Sequence, residues 1–280
     1  MRRARSIEVK SPEQIKAMRA AGLVVADVLK TLREAAGPGI TTGELDQLAR
    51  ERIAAAGAVS SFLGYGSSFG MPPFPAVTCI SVNDEIVHGI PGDRTLVNGD
   101  LVSIDFGASV AGWHGDSAIT FGIGELAPER AALSEATRTA MWDGVAAARV
   151  GGRIGDISAA VEGSLRARRA GYGVVAEYTG HGIGRAMHEP PDVPNVGRAG
   201  RGELIIKGVC LAVEPMVTLG SAATANLDDE WTVVSRDGSA AAHWEHTVAV
   251  LPAGLWVLTA EDGGEAELKA RGAAFAPLSD

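Results

Sequence analysis

Apolar positions recur at helical spacing after Ser11-Pro12-Glu13, where Ile15, Met18, Leu23, Val24, Val28, Leu29 and Leu32 form a stripe that Gly37-Pro38-Gly39 ends. A cap residue, a proline at the first position and an early acid open this helix. A second helix starts at Thr42-Gly43-Glu44, carries Leu45, Leu48, Ile53 and Ala54, and stops at Gly57. Over 60–75 the periodicity dissolves into Gly, Ser, Pro and the aromatics Phe62, Tyr65, Phe69 and Phe74. That composition predicts a long loop, either a plain connection or the wall of a pocket. Short strands over 76–82 and 85–87 flank Asn83-Asp84, and His88-Gly-Ile-Pro follows. The stretch 99–121 is then two apolar runs around a Gly-containing turn, a β-hairpin pattern, with Asp105 near the end of the first run and Asp116 opening the second. Two more helices are predicted from Pro128-Glu129 and from Gly155-Asp156-Ile157, ending at Gly151-Gly152 and near Gly171. Strands follow over 174–179, 208–218, 231–235 and 242–251, and the small, charged stretch from Ala260 reads as a frayed end.

The pattern repeats. The helix at Pro12-Glu13 and the one at Gly43-Glu44-Leu45 are matched by those at Pro128-Glu129 and Gly155-Asp156-Ile157. Gly99-Asp-Leu-Val-Ser-Ile-Asp105 matches Gly208-Val-Cys-Leu-Ala-Val-Glu214, each with a carboxylate six positions after its glycine. Asp116-Ser-Ala-Ile-Thr-Phe matches Glu245-His-Thr-Val-Ala-Val, and His88-Gly-Ile-Pro matches His181-Gly-Ile-Gly. The reading is one catalytic domain over 1–280, duplicated internally at about 11–125 and 126–251, with a tail over 260–280. Its class is α+β, with equivalent acids meeting on a pseudo-twofold axis.

Composition narrows the chemistry. A net charge of -9 argues against a nucleic-acid surface and gives no attraction to anionic membranes. Cys79 and Cys210 sit within apolar runs and make neither a disulfide framework nor a zinc knuckle, as expected of buried thiols in a reducing compartment. The basic start lacks an apolar signal core and no later run is long enough to span a bilayer, so a cytoplasmic location is expected.

Strand alternation places Leu101, Ser103 and Asp105 on one face, as it does Cys210, Ala212 and Glu214, and also Glu245, Thr247 and Ala249. Taken alone, the hairpin aspartates are equally well a solvated pair of surface acids or part of a metal site. Set beside Glu214 and Glu245, they make a group of carboxylates that cannot all stay ionised without cations. Oxygen ligands with one imidazole suit Mn, Fe, Co or Zn, and two ions better than one. The six histidines fall in or beside the repeated motifs. Of these, His181 and His188 in a glycine-rich segment are read as one ligand and one substrate contact, while His114, His243 and His246 are read as structural.

Asp105 with Asp116 eleven positions on, Gly-His181-Gly-Ile-Gly, Val-Glu214-Pro-Met and Trp-Glu245-His-Thr-Val resemble the ligand set of the type I methionine aminopeptidases, bacterial form, of the pita-bread fold in metallopeptidase family M24. The resemblance runs from about Ser11 to Leu251. It implies a curved antiparallel central sheet with helices on its outer face. It also implies two divalent ions (Co, Mn, Fe, Ni or Zn), one held by Asp105, the other by His181 and Glu214, with Asp116 and Glu245 bridging. A hydroxide shared by the ions would attack the first peptide carbonyl, releasing initiator methionine from nascent chains with a small second residue, at the ribosome. Glu214 would be the general base, and His88 and His188 would hold substrate and intermediate. Cys79, Met187 and Trp231 would line the methionine pocket, with Tyr65 and Phe74 in its wall. A monomer is expected. The sequence departs from that family in three places: the segment from Tyr65 to Pro75 is longer and lacks a histidine, Val87 stands where a cysteine is common, and Met187 replaces an aromatic residue. These bear on pocket shape and leave the ligands intact. A proline-specific relative would be expected to carry an extra N-terminal domain, and a retired, peptide-binding relative would be expected to have lost a ligand.

Overall fold

The computed structural model describes residues 7–279, without the side chain of Phe69; the basic first residues and that aromatic of the loop lie outside the described set. Helix α1 (Pro12–Ala35) begins in a capping box, the Ser11 hydroxyl accepting from the Gln14 N–H and the Gln14 side chain accepting from the Ser11 N–H. Its stripe of Ile15, Met18, Val25, Val28, Leu29 and Leu32 is buried, whereas Leu23 faces solvent. Gly22 instead marks the tightest approach, because a Cβ there would lie 2.1 Å from the Leu258 carbonyl oxygen. Helix α2 (Thr42–Ala55) has its own Thr41–Glu44 box and buries Leu45, Ala49 and Ile53. Helices α3 (Pro128–Ala147) and α4 (Ile154–Ala167) form the second pair.

An antiparallel sheet of nine strands, counted among the described residues, runs through the molecule. Its order is Val59–Ser60, Leu101–Val110, Trp113–Gly122, Glu245–Leu251, Cys210–Val213, Gly180–Gly182, Glu189–Val193, with Cys79–Val82 and Gly254–Val257 branching from the long strands. The predicted hairpin lies near its middle, paired in unbroken register from Leu101–Gly122 to Val110–Trp113. Val102, Ile104 and Phe106 pack under α1 and α2, and Leu211, Val213, Val248 and Val250 pack under α3 and α4. Each helix pair thus covers one half of the same sheet, and the class is α+β.

Two predicted strands are interrupted, and both breaks fall beside an acid. The 208–218 run divides into Cys210–Val213 and Met216–Thr218 around Glu214-Pro215, where proline has no N–H to give a ladder. The 242–251 run divides at Trp244 into Ala241–His243 and Glu245–Leu251. The segments that leave the main sheet pair with each other, Met216 opposite His243. Nor is the end of the chain frayed. Beyond Ala260 a short helix, α5 (Glu265–Ala270), docks Leu268 with no exposure, and Phe275 bridges to Leu255 of the strand Gly254–Val257, which joins the sheet. Arg271 secures that helix to Asp143.

Candidate metal centre

The sheet register assembles the site. Cys79 pairs with Asp105, Asp105 with Ala118, and Ala118 with Glu245, so one row across four strands carries two acids separated by an alanine. Asp116 lies two residues before Ala118 and therefore on the same face. The pair His246–Val213 puts Glu214, one step further along, beside Glu245, and the pair Gly182–Leu211 brings His181 alongside. His181 Nε2 is 3.5 Å from Glu214 Oε1 and 4.0 Å from Asp116 Oδ2. Its Nδ1 lies 2.9 Å from the Gly182 carbonyl oxygen, to which it donates as N–H, leaving Nε2 with its lone pair toward the acids.

Among the described residues no Lys or Arg pairs with these carboxylates, and the imidazoles beside them are His181 and His243. Burial pushes Asp105, Glu214 and Glu245 well above the usual carboxylate range, reinforced by neighbouring acids, and raises Asp116 to about 7. Asp105 Oδ1, Asp116 Oδ1 and Glu245 Oε1 are buried without a hydrogen-bond partner. Orphaned oxygens of this kind carry a desolvation cost that a cation removes. His181 is driven down to about 3, chiefly by burial, so it stays neutral and free to ligate. Ligand atoms of Asp116, His181 and Glu245 lie within 4.8 Å of one another, close enough to share an ion. The residues therefore fit divalent metal.

Every residue given a ligand, catalytic or pocket role from the sequence lines one cavity of about 170 Å³, the acids and His181 among them. Phe62, Tyr178, Thr179 and Met216 line it as well. The last of these was findable by alternation, two positions after Glu214. Cys79, Met187, Trp231, Phe74 and Phe62 form one buried cluster with Tyr65 at its edge. His88 lies edge-on to Tyr178 and Trp231 at 5.7 and 6.1 Å between ring centres, on a backbone with φ of 61°. Such a left-handed conformation at a histidine is strained and held by its surroundings. Burial lowers both His88 and His188 to about 4.

The loop of uncertain role proves to be a wall. Trp231 Nε1 donates to the Pro72 carbonyl oxygen at 3.1 Å, Phe74 meets the Trp231 ring edge-on at 5.3 Å, and Tyr65 Oη lies 2.5 Å from His188 Nδ1. Of the histidines read as structural, His114 bonds Ser61 and His246 bonds Thr259. His243 departs from that reading. Its Nε2 is 3.6 Å from Glu214 Oε2, and the strand break described above is what turns it there. No local motif marks it, because the neighbour is reached only through the pairing of two short strands.

The profile of metallopeptidase family M24 matches residues 16–252. The chain belongs to that family. Methionine aminopeptidase 1 of Mycobacterium tuberculosis is 50% identical over 264 residues, 92% of this chain and 97% of that protein. Among solved structures, the methionine aminopeptidase of Thermotoga maritima superposes with a TM-score of 0.87 at 36% identity, covering 91% of this chain and 100% of that one. The prolidase of Pyrococcus furiosus reaches 0.71 at 19% identity, covering 90% of this chain and 65% of that one, a likeness of fold alone. The M24 chain described here thus has the pita-bread architecture, and its candidate centre lies on the sheet face opposite the helices.

Proposed function

We propose that this chain is a methionine aminopeptidase that removes the N-terminal methionine of proteins and peptides whose second residue is small. The observation that carries the reading is the row Cys79–Asp105–Ala118–Glu245, which joins the cluster of unneutralised acids to an apolar cavity of about 170 Å³. Asp105 would hold one divalent ion, His181 and Glu214 the other, and Asp116 and Glu245 both. Bound there, the ions would supply Lewis acidity toward a carbonyl and lower the pKa of water.

The remaining work falls to the side chains. Glu214 takes a proton from the attacking water and returns it to the leaving amine. His88 and His188 stay neutral near pH 7, with values of about 4, and so serve as hydrogen-bond donors to the peptide carbonyl and the oxygen that develops from it. Cys79, Met187, Trp231, Phe74 and Tyr65 enclose an unbranched, polarisable side chain and exclude water from it. The same reading takes residues 1–280 as a single, internally duplicated catalytic domain. It makes the protein a cytoplasmic monomer acting on nascent chains at the ribosome, without direct contact with nucleic acid or membrane; no helix among the described residues is long and apolar enough to cross one.

The test is metal-reconstituted hydrolysis, with Mn, Fe, Co, Ni or Zn, of Met-Ala-Ser, Met-Lys-Ser and Xaa-Pro peptides. Methionine release from Met-Ala-Ser alone is the expected result. No release with any of these metals, or preferential cleavage of Xaa-Pro, would refute the assignment.

A further inference from the structure

We propose that His243 is the positioning residue of Glu214, donating from Nε2 to Glu214 Oε2 and thereby holding Glu214 Oε1 toward His181. The inference rests on the metal assignment above and adds to it a histidine outside its ligand set. Glu214 lies between two imidazoles, with Oε1 3.5 Å from His181 Nε2 and Oε2 3.6 Å from His243 Nε2. His181 has its Nδ1 committed to the Gly182 carbonyl, and its ring lines the cavity. His243 does not line the cavity. It stands behind Glu214, 1% exposed, and its Nε2 is the one buried nitrogen among the unpartnered side-chain atoms of the described residues.

The two histidines are therefore not equivalent. Glu214 Oε1 faces His181, a proposed ligand, whereas Oε2 faces His243, which with Glu214 and Glu245 also offers ligand atoms within 4.8 Å of one another. A ligating carboxylate needs its second oxygen satisfied, and groups that do this tune metal affinity strongly. The separation of 3.6 Å is a few tenths longer than a hydrogen bond, and for the donation to form the two side chains must close it when the centre is loaded. The backbone of His243 is already fixed. The Thr120 hydroxyl accepts from its N–H at 3.0 Å and donates to its carbonyl at 2.6 Å, while Met216 pairs with it across the strands. Held this way, the imidazole has little freedom except about its own side-chain bonds, and the nearest unmet partner is Glu214.

The decisive measurement is Co(II) titration of wild type, His243→Gln and His243→Leu, followed by ligand-field absorbance. A wild type that takes up no divalent metal refutes the metal reading itself, before any variant is compared. Given wild-type binding, His243→Leu is expected to lose roughly 10- to 100-fold in affinity for the ion on Glu214. His243→Gln, whose amide can donate to the same oxygen, is expected to stay within about threefold and to keep the wild-type absorbance. Leu binding as wild type, or Gln as weak as Leu, overturns the proposal. A second measurement avoids variants that fold poorly. In Zn(II)-loaded protein labelled with [15N]histidine, His243 Nε2 is expected to carry its proton, whereas a metal-bound, unprotonated Nε2 would make it a ligand and refute the positioning role.

Discussion

At the scale of single residues, the proposed roles separate side chains that would hold metal from those that would handle substrate, and substitutions should separate them too. Asp105→Asn removes an ionisable oxygen donor and Glu214→Gln removes both a donor and a base. Each is expected to lower turnover by about 10²-fold or more, and near-normal activity in either would contradict its assigned role. His88→Ala is expected to lose about 10²- to 10³-fold in kcat while metal content, read by elemental analysis, stays at the wild-type level. Tyr65 acts at one remove. If its hydroxyl donates to His188 Nδ1, Nε2 is left to carry the ring proton, as the proposed role of His188 as a donor requires, so Tyr65→Phe should cost about 1 kcal/mol, roughly fivefold, in kcat with little change in KM. An effect confined to KM would mean that Tyr65 serves only as pocket wall. That Asp105, Asp116, Glu214, Glu245 and His181 would converge on one cavity was legible from the chain, because acids within apolar strands are rare and these recur at matching positions in both halves. His243 was not, since its role depends on where two short strands cross.

At the scale of elements, long periodic segments and the short strand over 85–87 were read correctly, whereas several other short segments were missed. The hairpin and the four main helices follow from period and caps. Gly180–Gly182, Glu189–Val193 and Gly254–Val257 are too short and too rich in Gly and Pro to show alternation, and α5 is six residues with one buried apolar anchor. Those pieces owe their conformation to the sheet and core they join rather than to local propensity. The contact between α1 and the hairpin is a case where the sequence gives no warning of its tightness. A Cβ on Gly115, the neighbour of Asp116, would lie 2.8 Å from the Gly22 nitrogen and 2.9 Å from its Cα. Gly115→Ala must therefore push helix and hairpin apart, and the expected loss is about 1–3 kcal/mol by urea unfolding, with weaker metal binding because Asp116 moves too. Unchanged stability would show that the helix yields freely. Lys10 and Glu189 form a buried pair at 2.5 Å that secures the segment bearing Met187 and His188 to the start of α1. Lys10→Met leaves Glu189 buried without its cation and is expected to cost about 3–5 kcal/mol, whereas Lys10→Met with Glu189→Gln should recover a good part of that loss. A double variant no more stable than the single would place the cost elsewhere.

At the scale of the whole molecule, the fold carries a centre that the protein alone does not balance, and this links stability to metal and pH together. Without metal, Asp116 titrates at about 7 in the folded chain against an ordinary value near 3.8, and Asp105, Glu214 and Glu245 are raised as well. Between those limits the folded state binds more protons than the unfolded one, so the slope of stability with pH is negative. The contribution of Asp116 is therefore fully present below about pH 4 and is lost as pH rises through about 7, and Asp105, Glu214 and Glu245, raised well above their ordinary values, act in the same direction. The buried histidines pull the other way. His88 and His188, lowered to about 4 from 6.5, favour the folded state above the ordinary histidine value and lose that contribution as pH falls toward 4. Metal cancels the first effect and leaves the second, because ions replace the protons on the acids while His88 and His188 remain neutral donors. The melting temperature of metal-loaded protein should accordingly exceed that of chelator-treated protein by a margin that is small near pH 5 and grows toward pH 8, and calorimetry should register protons released on metal binding at pH 6. A margin independent of pH, with no proton release, would mean that the acids are ionised without metal and that the fold balances them by itself.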